Sequence, residues 1–435
     1  IVMKISVFGL GYVGCVSMAC LAQNGHSVIG VDINRNKIDL INQGKPTIIE
    51  KDIDVLIKEA SELDRINATN NHVEAVLNSE LSIISVGTPP TNEGHLNLNF
   101  IFSVAEEIGD AMLYKDDFHI IVIRSTVLPG TNMNVGRIIE KRSGKTRNKH
   151  FAVVSNPEFM REGSAVHDYY NPPITIIGSD NSFAIDKVSS IYNDIKAPVK
   201  HVAIEEAEMI KYVSNTWHAL KISFANEIGN ICKKMGIDSF HVMEIFLMDN
   251  KLNISGAYLK PGFAYGGSCL PKDLKGLVTM AHDHYIHTPV IENIEASNKS
   301  HKQQALRMVE SSGKRKIGIL GLSFKQGTDD LRYSPMVEFT EYFYGKGYQI
   351  KIYDNSVNMS RLIGMNKDYI QSHIPHLSDL ISDDLQMVIR QSELIVFAHH
   401  IPDAEEIISL NPDKHFIDLV RVTNNKYVNY EGICW

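Results

Sequence analysis

The sequence predicts an α/β protein: two Rossmann-like, doubly wound parallel-sheet domains joined by a long central helix. Three observations carry this. Short β-branched runs alternate with helix-length segments from residue 3 to 155, one helical pattern fills 204–235, and the strand-and-glycine order of the first part then returns from residue 316. The expected boundaries are 1–203, 204–311 and 312–435.

The first strand, MKISVF (3–8), runs into Gly9-Leu10-Gly11-Tyr12-Val13-Gly14 and an apolar helical stretch that stops at Asn24-Gly25. SVIGVD (27–32) is a second buried strand ending in Asp32. A helix over NRNKIDLINQG, strands at 81–86, 119–124 and 151–155 and a helix near 99–114 continue the rhythm. Their apolar runs are nearly continuous, as expected of strands covered on both faces. The long helix has acids in its first turn, lysines near its end and Gly236 as its stop. Further helical sequence reaches Ser311, and SSGKRK (311–316) reads as a linker.

KIGILGLSF (316–324) repeats strand and glycines, a helix starts near Pro335, and YQIKIYD (348–354) again ends in Asp. SELIVFAHH (392–400) echoes SELSIISVGT (79–88), and HFIDLVR (415–421) takes the place of HIIVIRS (119–125). The chain therefore contains an internal duplication. The second copy lacks the full G-x-G-x-x-G, so a different nucleotide is expected there.

Composition narrows the function. The 435 residues are 22% charged and 44% hydrophobic with a formal charge of −8, which provides no global field for nucleic acid. Runs such as Leu81 to Val86 are too short to span a bilayer. The five cysteines form an odd set without C-x-x-C, so free thiols in a reducing compartment are expected. With no leader pattern before the first strand, a cytoplasmic location is expected.

G-x-G-x-x-G at 9–14, between a strand and a helix and followed by Asp32 at the next strand's end, is the dinucleotide fingerprint. The glycines admit the pyrophosphate to a helix N-terminus, and Asp32 would accept from the adenosine ribose hydroxyls. A carboxylate there repels a 2′-phosphate, which favours NAD, against the nearby Arg35 and Lys37.

On the long helix Lys211, Asn215, His218 and Asn226 fall within roughly an 80° arc at about 100° per residue, alongside Ile222 and Gly229. This stripe is either a solvated face or an enclosed oxyanion or proton-carrying site. Val213, Trp217, Leu220 and Phe224 elsewhere on the helix favour enclosure. In Gly266-Gly267-Ser268-Cys269-Leu270-Pro271-Lys272-Asp273, glycines make room for a thiol at a helix start beside Lys272. Cys269 is then either a nucleophile or a buried small hydrophobe. Glu158 and Glu162, in NPEFMREG, follow a strand's carboxyl end, where Glu158 would activate water or form a surface salt bridge. Ser125, Thr126 and Thr88 also follow strands, as ligand contacts or as helix caps. The histidines of HDHYIH (282–287) lack a matching carboxylate or Cys cluster, so no metal is expected.

Taken together, FGLGYVG (8–14), VGTPP (86–90), STVLPGT (125–131), NPEFMREG (156–163), EMIKYVSNTWHALKISFANEIGN (208–230), PGFAYGGSCLPKD (261–273) and GLSFKQGTDDLR (321–332) resemble the nucleotide-sugar 6-dehydrogenases, the UDP-glucose/GDP-mannose dehydrogenase family. The likeness spans nearly the whole chain. SNTWHALKISFANEIGN, KLNISGAYLKPGFAYGGSC and the final EGICW are most similar to members acting on GDP-mannose, with UDP-glucose as the alternative substrate.

The resemblance implies NAD-dependent, four-electron oxidation of a C6 alcohol to a carboxylate, here GDP-mannose to GDP-mannuronate for alginate-type polysaccharide synthesis. Cys269 matches the nucleophile that carries the thiohemiacetal and thioester. Lys211 and Asn215 match the oxyanion stabilisers, Asp273 and Glu158 the carboxylates that serve water and thioester hydrolysis, and Thr126 a position touching cofactor and water. The implied cofactor contacts are Gly9, Gly11, Tyr12, Val13, Gly14, Asp32, Lys37, Thr88, Thr126, Lys272 and Arg332. Those for the sugar nucleotide are Glu162, Lys211, Asn215, His218, Asn226, Tyr258, Lys260, Phe263, Gly266 and Lys325. Members acting on GDP-mannose carry Arg and Tyr where this chain has Lys260 and Ala257; Lys keeps the charge and loses the bidentate fork. The family also assembles through the central helix, so a homodimer or higher homo-oligomer with shared active sites is implied.

Overall fold

A computed structural model describes residues 2–435 except 90, 92–95, 162, 259, 268, 269, 325, 327–330, 332, 356, 358–374 and 376, and describes the backbone alone of 272, 276 and 378. The chain forms two compact units, Ile1–His218 and Ala219–Trp435.

In the first unit, strands β1 (Lys4–Phe8), β2 (Ser27–Val31), β3 (Ile66–Thr69), β4 (Leu81–Ile84), β5 (His119–Ile123), β6 (Phe151–Ser155), β7 (Thr175–Gly178) and β8 (Val199–Val202) form one sheet in the order β3-β2-β1-β4-β5-β6-β7-β8. Helices α1 (Tyr12–Gln23), α2 (Arg35–Asn42), α3 (Ile53–Glu62), α4 (His72–Leu77), α5 (Asn99–Met112), α6 (Thr131–Ser143), α7 (Ala165–Tyr170) and α8 (Ser182–Ser190) lie between strands. The strand order reverses direction between β1 and β4, so a crevice opens past their carboxyl ends.

Alternation explains the two-sided burial. Ile120 and Val122 of β5, with Ala152 and Val154 of β6, join the core that contains Val16 and Leu21 of α1. Ile121, Ile123, Phe151 and Val153 join the opposite core with Val104 and Ile108 of α5.

One expectation changes here: the sheet is not wholly parallel, because β7 meets β6 antiparallel at Ser155↔Gly178. The edge strand β8 reads Val-Lys-His-Val and is mostly exposed, so no apolar run announced it.

His119 in β5 is fully buried, with Nε2 against the Ser82 hydroxyl at 2.7 Å. Burial pushes its pKa down to about 3. The folded state therefore refuses a proton that the unfolded chain accepts near pH 6.5, and stability present above that value is lost as pH falls toward 3. His119→Leu, which leaves Ser82 its Ser6 partner at 2.7 Å, is expected to flatten that acid limb by up to about 1.4 kcal/mol per pH unit. Urea unfolding between pH 7 and 4 measures it; an unchanged slope would contradict the assignment.

Helix α9 (Ile204–Lys234) falls where the sequence places it, and the boundary between the units lies within it. Its first turn lies close to β7, where a side chain on Gly178 would come within 2.6 Å of the Ala207 Cβ. The chain itself does not cover the apolar side of α9: Met209, Val213, Trp217 and Leu220 are exposed. At about 100° per residue these four form a stripe opposite the Lys211 stripe. Phe224 instead packs with Ile228, Leu274 and Leu277 around buried Ile231, Ala281 and Ile291.

In the second unit α10 (Ser239–Leu247), α11 (Leu270–Asp283) and α12 (Pro289–Ser311) precede β9 (Lys316–Leu320), α13 (Pro335–Gly345), β10 (Gln349–Tyr353), β11 (Leu394–Phe397), β12 (His415–Asp418) and β13 (Tyr430–Gly432). The all-parallel sheet has the order β10-β9-β11-β12-β13. It repeats the β2-β1-β4-β5 order of the first sheet, which is the duplication expected from the sequence. Among the described residues, no helix is long and apolar enough to cross a membrane.

Candidate active site

The fingerprint loop forms a cradle. Gly9 has φ +91°, and a Cβ there would meet Ser85 O and Val86 Cα at 3.0 Å across the β1–β4 crevice. A Cβ on Gly14 would lie 1.8 Å from Gly9 O, so the first turn of α1 packs directly on the loop. Gly11 has no atom within 4 Å of such a Cβ, and as N-cap of α1 it provides no side-chain cap. The helix start therefore presents backbone N–H groups to an open space, as an anion site requires. Tyr12 and Val13 begin α1.

Asp32 follows β2. Its carboxylate accepts from Leu10 N–H at 2.8 Å and Asn34 N–H at 2.8 Å, and pairs with Lys37 Nζ at 3.3 Å. The Lys37 charge is thus directed at Asp32, whereas Arg35 is exposed.

Two loops beyond the next strands meet their partners. The Thr88 hydroxyl donates to Thr126 O at 2.9 Å, and the Ser125 hydroxyl to Val86 O at 2.7 Å, so the loops after β4 and β5 are tied together. After β6, Glu158 faces Lys211 of α9: Nζ lies 2.9 Å from Glu158 Oε1 and 2.6 Å from its carbonyl oxygen. The two side chains are only 11% and 9% exposed, so the pair is not a surface salt bridge. Met160 N–H donates to the other Glu158 oxygen at 2.6 Å. The Lys211 ammonium is also 5.5 Å from the centre of the Phe159 ring.

Contacts distant in sequence brace this loop. Buried Arg124 donates to Asn156 Oδ1 at 2.8 Å and the Tyr192 hydroxyl at 2.9 Å. Arg161 clasps Asp168 with contacts of 2.8 and 3.0 Å and holds that carboxyl well below the usual range. The Glu50 carboxylate accepts from the Tyr12 hydroxyl and from Gly163 N–H, joining the fingerprint helix to the NPEFMREG loop. Glu50 gave no sequence signal, since it lies in an ordinary polar loop.

Other expected residues are less enclosed. Asn215 and His218, further along α9, are exposed, as is Asn226 in the second unit. There, Tyr258 (φ +61°) and Lys260 are exposed, Phe263 packs on the core, and a Cβ on Gly266 would come within 2.3 Å of Tyr333 O. Asn298 bonds both backbone groups of Tyr265 at 3.0 Å, and His301 bonds Gly262 O at 2.7 Å, so α12 holds the 262–265 segment. Asp273 is exposed in the first turn of α11. Cys269, Glu162, Lys325, Arg332 and the Lys272 side chain lie outside the described residues. Of the described cysteines, Cys15, Cys20 and Cys232 are buried, and burial raises the Cys15 thiol and pushes Cys20 up to about 12.

The carboxylate missing near HDHYIH is supplied by α12: Glu292 Oε1 lies 3.3 Å from His282 Nε2 and 3.8 Å from His287 Nδ1. Among the described residues no His, Cys, Asp and Glu cluster is placed to hold a metal.

The second fold's crevice is built differently. Gly321 (φ +108°) stands where Gly9 does, but a Cβ there would meet the His399 ring at 2.4 Å. Asp354, the counterpart of Asp32, is buried and accepts from Leu322 N–H at 2.7 Å and Ser323 N–H at 3.1 Å. His399 occupies the place that Val86 takes in the first fold, so the two crevices are not equivalent.

Comparison with known proteins decides the family. The descriptions "UDP-glucose/GDP-mannose dehydrogenase family" NAD binding domain, central domain and UDP binding domain match residues 3–196, 205–300 and 318–425. The chain belongs to this family.

The dehydrogenase is 45% identical over 436 residues to GDP-mannose 6-dehydrogenase of Pseudomonas aeruginosa and 46% to that of Azotobacter vinelandii, covering 100% of each chain. A UDP-glucose 6-dehydrogenase of Bacillus subtilis is 36% identical over 81% of this chain and 76% of its own. Among solved structures, a ternary complex of GDP-mannose dehydrogenase from P. aeruginosa matches with TM-score 0.97, 45% identity and full coverage of both chains. A UDP-glucose dehydrogenase from Pyrobaculum islandicum matches with TM-score 0.57 and 30% identity over 100% of this chain and 98% of its own. The protein is an NAD-dependent nucleotide-sugar dehydrogenase. The Gly9–Gly14 cradle, the uncapped α1 start and the Asp32 carboxylate fit that cofactor.

Proposed function

We propose that the dehydrogenase oxidises the C6 hydroxyl of GDP-mannose to the carboxylate of GDP-mannuronate, a four-electron reaction that supplies alginate-type polysaccharide synthesis. The observation that carries this reading is the full-length 45% identity and TM-score of 0.97 to GDP-mannose enzymes, against 0.57 for the UDP-glucose enzyme above.

Two NAD molecules, bound one after the other, would each accept one hydride, the first NADH leaving before the second NAD binds. Gly9, Gly11, Tyr12, Val13 and Gly14 hold the pyrophosphate side of each and Asp32 its ribose, with Thr88, Thr126, Lys272 and Arg332 toward its other parts. Water in the site takes the proton of the C6 hydroxyl, and Lys211 and Asn215 stabilise the alkoxide left behind. After the first oxidation Cys269 adds its sulfur to the aldehyde, forming a thiohemiacetal with the proton on oxygen. Loss of the second hydride and that proton leaves a thioester. Water, ordered by Thr126 and deprotonated with help from Glu158 or Asp273, attacks the thioester carbon; the C–S bond breaks, the thiol is restored and the carboxylate leaves. The buried Glu158–Lys211 pair supports this assignment, because it sets a carboxylate and an ammonium side by side. Glu162, His218, Asn226, Tyr258, Lys260, Phe263, Gly266 and Lys325 complete the sugar-nucleotide contacts.

The division at 1–203, 204–311 and 312–435 belongs to the same reading and is supported by the three matched segments. So does a homodimer or higher homo-oligomer with shared active sites. It is supported by the exposed stripe of α9 and by Phe240, Ile245 and Leu247 of α10, which are 83%, 56% and 56% exposed.

Steady-state kinetics with both sugar nucleotides test the substrate. A kcat/KM for GDP-mannose at least tenfold above that for UDP-glucose is expected, and the reverse order would overturn the reading.

A further inference from the structure

The first turns of α9 carry a second buried acidic residue, Glu208, which is 2% exposed. Its carboxylate points to the start of α6 rather than to Lys211. Oε2 accepts from Gly130 N–H at 2.6 Å, and Oε1 accepts from Asn132 N–H at 2.8 Å and from Asn132 Nδ2 at 2.6 Å. The N-cap of α6 is Gly130, at φ +91°, which provides no side-chain acceptor of its own. Glu208 therefore caps α6 from another helix, satisfying donors that would otherwise be buried without a partner and placing negative charge at the helix's positive end.

Lys211 stands three residues later, on the same face of α9, and reaches Glu158. One helical turn thus grips two loops: Glu208 holds the end of the 125–130 loop that carries Thr126, and Lys211 holds the 156–160 loop that carries Glu158. Thr126 is in turn tied to Thr88. Without Glu208, nothing in this set fixes the height of α9 against the loop after β5.

We infer that Glu208 is a positioning residue, whose cap on α6 sets Lys211 and the Thr126 loop in catalytic register. The inference rests on the roles proposed above for Lys211 and Thr126.

The same helix supplies a matched control. Glu227, 8% exposed, accepts from Val290 N–H at 2.9 Å and Ile291 N–H at 3.0 Å and so caps α12 within the second unit. Glu208→Gln puts an amide against N–H donors on α6, and Glu227→Gln does the same on α12.

In the full-length enzyme with GDP-mannose and NAD, Glu208→Gln is expected to lower kcat at least tenfold with both KM values within threefold. Glu227→Gln, at a comparable loss of Tm, is expected to keep kcat within threefold. Equal kcat losses in the two variants, or an unchanged kcat in Glu208→Gln, would overturn the inference. Should Glu208→Gln fail to fold, Asn132→Ala removes one donor and is expected to lower kcat in the same pattern by a smaller factor; an unchanged kcat there would overturn it equally. Hydrogen exchange separates this inference from the substrate reading, since it needs no turnover. Faster exchange in both 128–134 and 156–161 of Glu208→Gln supports it, and acceleration confined to 128–134 contradicts it even if neither sugar nucleotide is a substrate.

Discussion

Cys269→Ser is expected to bind the sugar nucleotide with an affinity within a few-fold of the parent while losing turnover by a factor on the order of 10³ or more. The two effects separate because sulfur is needed only after the first oxidation. A serine hydroxyl fills nearly the same volume and leaves ground-state contacts intact, but at neutral pH it is far less ionised than a thiol and adds poorly to an aldehyde. An aldehyde hydrate remains as a tetrahedral hydride donor, but no covalent bond to the enzyme retains it. Titration of the variant with GDP-mannose by calorimetry, alongside a continuous NADH assay, checks both halves. Near-normal four-electron turnover would remove the thioester route. The buried Cys15 and Cys20, with raised thiol pKa values, serve as silent comparators: their Ser variants are expected to alter stability before kcat.

Lys211→Met is expected to lower kcat by about 10²–10³-fold, the usual cost of losing a donor aimed at developing negative charge. Methionine keeps the length and apolar stem, so the change isolates the ammonium. It also strands the Glu158 carboxylate, 11% exposed, which keeps the hydrogen bond from Met160 N–H but loses its ammonium. Breaking one side of a buried pair costs on the order of 3 kcal/mol, so Tm falls too. Adding Glu158→Gln to Lys211→Met removes the stranded charge and is expected to restore much of the Tm without restoring kcat. Measuring Tm and kcat for the two single variants and the double closes that cycle. If kcat recovers with Tm, Lys211 acts on folding and not on the reaction.

The parts of the fold that could be read in advance are those with local signatures. β1, the 9–14 glycines and Asp32 follow one another within 32 residues, and the structure joins them as expected through Leu10 N–H to Asp32. Helix α9 was legible from its charged ends and length. The echo of 79–88 in 392–400 became matching strands β4 and β11. What escaped was either short and polar, like β8, or long-range. Glu158 and Lys211 are 53 residues apart and meet only because α9 returns to the carboxyl edge of β6. Glu50 and Arg124 sit in unremarkable stretches, and their roles arise from partners 113 and 32 residues away. What covers the apolar stripe of α9 was not legible either, because such a stripe specifies that something covers it, not that the same chain does.

The stoichiometry of the complete reaction tests the central claim most directly. With limiting GDP-mannose and excess NAD, the account predicts two NADH formed for each sugar nucleotide consumed, with an acid as product. One NADH per sugar nucleotide, with an aldehyde released, would contradict it.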